Sequence, residues 1–285
     1  MTKFVKLSQA FALALTSFQL SAFELDWDQV DWSAGATSQT FTNVNSSGID
    51  ITISTVLSND WYYHSSNGSG YWARSNFIGD APDDDQTFGG DWAAQNGESL
   101  YLGVNFATDD PTRSYLDVTV SFSQSVTGTS FQLFDVDRYY GEYYGGYEYG
   151  YQFEDVIFQI EGSNGGSAAT TTVTYDDSKI DQGTMNSSTA YFGDTRRNSI
   201  DDQNDNPASV LTIGWNDPID QFSFRYASGP LAAADPGNQA IGLSNIGFYE
   251  YSAVPEPSTY LSGGLIILVL AGMAVRKRFR RQQTS

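Results

Sequence analysis

His64 is the one histidine among 285 residues, and there is no cysteine. Ser-His-Asp hydrolysis needs an imidazole to take the serine proton, and a zinc protease needs two histidines on one helix face. One histidine cannot form the zinc pair, and it leaves His64 as the sole candidate base for a triad. It stands in Trp61-Tyr62-Tyr63-His64-Ser65-Ser66, where it reads as a packed or surface residue on a loop rim. Without thiols, disulfides, zinc ribbons and cysteine nucleophiles are excluded. No glycine-rich strand-to-helix phosphate loop is present. Glycoside hydrolysis asks only for two carboxylates a few ångströms apart, but no local signature singles out a pair. The chain therefore reads as non-enzymatic, with a secreted carbohydrate-active enzyme as the lesser alternative.

Oxygen ligands are abundant. Hard cations such as calcium take Asp, Asn and backbone carbonyl oxygens, often from loops. Asp83-Asp84-Asp85 and Asp201-Asp202-Gln203-Asn204-Asp205-Asn206 are dense enough to serve. Neither is an EF-hand: counted from Asp202, Pro207 stands where the loop needs glycine and Ile213 where it needs glutamate. Asp135, Asp137 and Asp155 form a further candidate across neighbouring strands, beside Asp201, Asp202 and Asn204. Solvated acidic turns are the competing account of all of them. No cofactor is required, and calcium is the one these residues point to.

Sugar binding needs exposed aromatic faces with polar neighbours. Trp61, Tyr62, Tyr63, Tyr71 and Trp72 form one aromatic group. Tyr139 to Tyr151 forms another, with seven Tyr and four Gly in thirteen residues. Trp61, Tyr62, Trp72, Tyr143 and Tyr147 are the glycan-binding candidates. Core packing of the tryptophans and self-stacking of the tyrosines are the alternatives.

The elements that must position these groups read as strands. Period-2 alternation recurs in Ile49–Ser54, Leu100–Phe106, Tyr115–Phe122, Phe131–Val136, Val156–Ile160, Thr170–Tyr175, Val210–Trp215, Phe222–Tyr226 and Ile241–Tyr249. Gly, Asp, Asn and Pro clusters bound them, and no 3.6 period competes. Between Phe23 and Ala253 there are 26 Asp and seven Glu, a skew toward turns rather than helices. The expected fold is all-β, an antiparallel β-sandwich of jelly-roll type. Val118–Ser123 and Phe131–Asp137, joined by a turn at Val126–Thr129, resemble a strand-turn-strand pattern of exported jelly-roll domains. Ile241–Phe248 resembles their closing strand.

The two ends read differently from the middle. Lys3 and Lys6, the apolar run Leu7–Leu20 and the small residues Ser21 and Ala22 have the order of a signal peptide, cleaved after Ala22. At the far end, Thr259–Val275 is uncharged for seventeen residues and contains Leu265, Ile266, Ile267, Leu268, Val269 and Leu270. That approaches the roughly 20 residues a membrane helix needs. Arg276, Lys277, Arg278, Arg280 and Arg281 follow, and the positive-inside rule places them in the cytoplasm. The expected organisation is a signal peptide at 1–22, an ectodomain at 23–253 and a sorting segment at 254–285.

Val254-Pro255-Glu256-Pro257-Ser258, the apolar span and the Arg-rich cluster together resemble the PEP-CTERM sorting signal of Gram-negative bacteria. The resemblance implies processing by exosortase, a membrane-embedded cysteine protease, near Pro255–Pro257, and an association with exopolysaccharide and biofilm. Exosortase and signal peptidase are then partners, and exopolysaccharide is a candidate third. The implied route is export, transient anchoring in the inner membrane, then the cell surface or extracellular space. A calcium-stabilised carbohydrate-binding module is the alternative function.

The chain carries 14 basic and 34 acidic residues, net −20. Seven of the basic residues lie in the two ends, so the ectodomain holds seven basic and 33 acidic residues, net −26. That charge repels nucleic acid and opposes compaction. If the 201–206 run binds calcium, millimolar calcium should raise the melting temperature more than sodium or magnesium chloride at matched ionic strength. Asp202→Ala should remove that excess. Equal shifts in all three salts, read by thermal melts, would mean a merely solvated acidic surface.

Overall fold

The computed structural model describes residues 22–58, 61–66, 69–82, 99–140, 151–193, 209–234 and 236–251. For 61–66, 69–73, 139–140, 151–152 and 237 the backbone alone is described. The chain divides into two compact units, Met1–Glu250 and Tyr251–Ser285, and only Tyr251 of the second is described.

In chain order the strands are β1 (Ala22–Leu25), β2 (Ser38–Phe41), β3 (Ile51–Leu57), β4 (Trp61–Ser66), β5 (Ser69–Arg74) and β6 (Asn76–Phe77). Then come β7 (Leu100–Phe106), β8 (Tyr115–Phe134), β9 (Arg138–Tyr140), β10 (Tyr151–Asn164), β11 (Ser167–Ala169) and β12 (Thr172–Thr174). β13 (Ile180–Met185), β14 (Ser188–Gly193), β15 (Leu211–Trp215), β16 (Ile219–Ser228), β17 (Gly237–Leu243) and β18 (Ile246–Glu250) complete the series. Helix is confined to two short 3₁₀ turns among the described residues, Trp27–Gln29 and Val44–Ser46. Every described strand pair is antiparallel, so the protein is all-β. Among the described residues no helix is long and apolar enough to cross a membrane. The expected span, Leu265–Leu270 included, lies outside the described residues.

β8 organises the sheet. Its first half lies between β16 (Tyr115–Ser121 against Ala227–Gln221) and β3 (Leu116–Phe122 against Leu57–Ile51). Its second half lies between β15 (Thr129–Leu133 against Trp215–Leu211) on one side and β18 and β17 on the other. Beyond β16 the sheet continues through β10 and β14 to β13, and beyond β17 through β7 to β6.

The turn expected at Val126–Thr129 is not there: β8 is one strand through both segments. The reason is visible in the ladder. Val126 faces Ile219 and Glu250, Thr127 faces Tyr249, and Thr129 faces Trp215, so no residue is released to reverse the chain. The extra residue is taken up as a β-bulge, since Thr127 and Ser130 are three positions apart while their partners Tyr249 and Gly247 are two. Gly128 has φ +59° there, a conformation glycine adopts without strain. The bulge shifts the buried phase. Leu116, Val118, Val120, Phe122 and Val126 point inward on even numbers, then Thr129, Phe131 and Leu133 on odd ones. One strand thereby feeds two stretches of core.

The closing segment differs as well. Ile241–Tyr249 is two strands, because the chain changes partners at Ser244-Asn245. The Gln132 amide donates to Ser244 Oγ (2.7 Å), and the Trp27 amide donates to Asn245 Oδ1 (2.9 Å). These side-chain bonds replace ladder bonds where β17 hands over to β18.

The core is one buried cluster that includes Phe106, Phe131, Trp215, Phe222, Phe224 and Tyr226. Phe131 stacks on Phe222 at 4.7 Å between ring centroids and 15° between planes, and Trp215 stacks on Phe222 at 5.1 Å. Phe222 belongs to the first stretch of sheet and Trp215 to the second, so the sheet closes over its own core. Offset stacking of this kind adds about 0.5–1.5 kcal/mol per pair beyond burial.

Gly128→Ala tests the bulge. A Cβ there would stand 2.5 Å from Tyr249 Cδ2, in a left-handed conformation that costs an L-residue about 1–2 kcal/mol. The expected result is a melting temperature lower by about 2–8 °C. No change would mean that β8 passes Thr127–Thr129 without a bulge.

Candidate functional site

Two places in the unit gather polar groups. The first lies where β8 ends and β9 and β10 begin. Asp135 leaves β8 with φ +59°, and the chain then passes Asp137 to Arg138. The Asp155 amide donates to the Asp137 carbonyl (2.8 Å), and the Asp137 amide donates to Asp155 Oδ2 (3.3 Å). Tyr226 Oη donates to Asp155 Oδ1 at 2.7 Å, and both residues are fully buried. Beside them, buried Glu154 faces Arg138 (Oε1 to Nη1 3.8 Å) and accepts the Leu231 amide at Oε2 (3.0 Å). Gly193 permits this approach, since a Cβ there would overlap the Asp137 carbonyl.

Burial pushes the Asp155 carboxyl well up, and the Asp135 and Glu154 charges push the same way, against the Tyr226 hydroxyl and the Asp137 amide. Burial also raises Glu154, which the Leu231 amide and Arg138 oppose. Burial, then the Asp155 charge, holds the Tyr226 phenol well above its usual range. The cluster is thus a buried acid network that favours proton retention.

The structure brings Asp135, Asp137 and Asp155 together, as the sequence reading supposed. Among the described residues no three His, Asp or Glu side chains form a group that could hold a metal. Asp155 spends its oxygens on Tyr226 and Asp137. Asp83–Asp85, Asp201, Asp202 and Asn204 lie outside the described residues.

Trp61, Tyr62 and Trp72 fall on the two-stranded β4–β5 hairpin, with Trp61 opposite Arg74, Tyr62 opposite Ala73 and Tyr63 opposite Trp72. His64, expected on a loop rim, is in β4 opposite Tyr71. The run of aromatic residues there has the strand preference that the loop reading overlooked. The Tyr/Gly-rich segment is flanked by a ladder, Tyr140 opposite Tyr151 and Arg138 opposite Glu154, while Tyr143 and Tyr147 lie outside the described residues. So do Val254–Ser258 and Arg276–Arg281.

The second place was not legible in the sequence. β14 pairs with β10 only as far as Phe158, and β11 takes up that edge at Gly162. On the other edge, the β10–β16 register shifts between Phe158 and Glu161. Gln159 and Ile160 therefore have no cross-strand partner on either side. Gln159 has φ +52°, the one non-glycine residue inside a described strand with left-handed backbone. Two adjoining shallow cavities, ≈ 220 and ≈ 370 Å³, open over this gap and share Ile160, Glu161 and Thr171. Gln159, Thr189 and Tyr191 line the first, and Ser163, Gln221 and Ser223 the second. Trp215 Nε1 donates to Thr171 Oγ1 at 2.9 Å, which fixes the Thr171 hydroxyl at their junction.

No family model matches the chain, and no curated protein matches it. Two solved chains match. One is the crystal structure of the N-terminal domain of an adhesin from Streptococcus gordonii, at 12% identity and a TM-score of 0.30, covering 81% of this chain. This chain spans 60% of that structure. At this TM-score the likeness is distant, and no property of the adhesin carries over.

The buried acid yields a pH prediction. A carboxyl raised in the folded state stabilises below its unfolded pKa, about 3.9, and loses that contribution as pH rises through the folded value. Asp155→Asn keeps an acceptor for Tyr226 and cannot ionise. Its melting temperature should therefore gain on the wild type as pH rises above about 4. A constant difference between the two melts would show that Asp155 titrates as an ordinary surface acid.

Proposed function

We propose that this chain is an exported, non-enzymatic protein of the cell surface or extracellular matrix, sorted through its PEP-CTERM-like segment and linked to exopolysaccharide. We read its all-β unit as a β-sandwich of jelly-roll type. Signal peptidase and exosortase are its processing partners, and Thr259–Val275 is its transient inner-membrane anchor.

One observation supports this reading above the others. β1 pairs with β18, Ala22 opposite Tyr249 and Phe23 opposite Phe248, with the two Phe rings 5.8 Å apart. Cleavage after Ala22 leaves Phe23–Leu25 of β1 in place, and β18 ends at Glu250, ahead of Val254. Processing at both expected sites thus costs no strand. The net charge of −26 keeps such a unit soluble outside the cell.

Mass spectrometry of the surface-associated protein is the test. The expected C-terminus lies near Pro255–Pro257, and Glu256→Ala should trap the longer form in the membrane fraction. Intact Arg276–Arg281 on the mature surface protein would overturn the sorting reading.

A further inference from the structure

We infer that the gap in the β10 edge is a binding site for a neutral oligosaccharide. The inference rests on the extracellular location argued above and assigns the site to residues apart from the aromatic hairpin. Three observations converge on it. The gap is bracketed by β14 and β11, and between them, among the described residues, only Gln159, Ile160 and Glu161 lack a partner on that edge of β10, so it is too short to accept an added β-strand. It does present hydroxyl and carboxylate groups from Thr171, Thr189 and Glu161 beside Tyr191 in the first cavity, and the Gln221 side chain in the second. Among the described residues its lining contains no Lys or Arg to hold an anion, and Glu161 is its single carboxylate, too few for a divalent cation. A ligand that is uncharged, compact and rich in hydroxyls satisfies all three.

The groove is also prepared in advance. Since the Trp215 indole donates to Thr171 Oγ1, the Thr171 hydroxyl hydrogen is left to donate to an acceptor, and its oxygen is held in place by a buried ring. Such preorganisation lowers the cost of binding. Gln159 departs furthest from regular strand geometry. A left-handed backbone in mid-strand strains a side-chain-bearing residue, and strain of this sort persists where the site uses it. Here it opens the edge and brings the Gln159 amide to the cavity wall.

The test uses the full-length chain in sugar-free detergent micelles. The probes are gluco-, manno- and galacto-oligosaccharides, with uronate oligomers as the acidic arm, and binding is read by calorimetry. Gln159→Gly should weaken binding of a neutral oligosaccharide by about ten-fold or more. Because glycine relieves the strained backbone, the same variant should melt higher than the wild type. A purely structural Gln159 would not combine these two effects. Thr189→Trp, at an exposed position, should block the cavity and abolish binding with an unchanged far-UV spectrum. Trp72→Ala, in the hairpin, should leave affinity intact.

If a neutral oligosaccharide binds but Trp72→Ala abolishes it while Thr189→Trp does not, the groove assignment falls and the surface reading stands. Tighter binding of uronates, or no binding of any neutral oligosaccharide by the wild type, overturns the inference. Either result leaves C-terminal processing to be judged on its own mass spectra.

Discussion

The structure depends on one strand doing two jobs. β8 supplies a central partner to β3 and β16 with its first half and to β15, β17 and β18 with its second. A strand can serve two stretches of core only if its inward face changes phase, because side chains alternate strictly along a regular strand. The single extra residue at Gly128 makes that change. Without it, either Val118, Val120 and Phe122 or Phe131 and Leu133 would face solvent. The Phe131–Phe222–Trp215 stack that joins the two stretches would then have no geometry to form in.

Both polar places lie where the sheet departs from regularity. The Asp155 network sits where β8 gives way to β9, and the groove sits at the β10 bulge. Regular ladder consumes backbone donors and acceptors in pairs. Departures free some of them and re-aim side chains. In the first place the freed groups are turned inward and satisfied, as when the Asp137 amide serves Asp155 and the Leu231 amide serves Glu154. In the second they border a cavity.

Much of the fold was legible in the sequence, for a physical reason. Leu100–Phe106 appears as a strand with the bounds its alternation implied, and Val210–Trp215 differs by one residue. Bounds were misjudged where polar, turn-forming residues occur inside paired segments. Val126-Thr127-Gly128-Thr129 has turn composition, yet its neighbours Ile219, Trp215 and Tyr249 lie far away in sequence and hold it extended. The same distance hid the groove. Nothing around Gln159 in the sequence foretells a left-handed residue or a missing strand partner, because both follow from where β14 and β11 stop. The acidic candidates were found by their clustering and by their places on neighbouring strands, which anticipated the proximity of Asp137 to Asp155 but not the hydrogen bond from Tyr226 to Asp155.

The β1–β18 pairing has a consequence in time. Trp27 and Asn245, bonded across 218 positions, belong to the first and last parts of the unit to be synthesised. Contacts so distant in sequence close late and slowly, because a long loop must be ordered before they form. In a chain threaded through a membrane from its N-terminus, β1 reaches the far side first and waits with an unpaired edge until β18 follows. If the chain is exported N-terminus first, as proposed, closure of that seam marks the crossing of the whole unit. The same closure leaves β18 paired on both sides, to β8 and to β1.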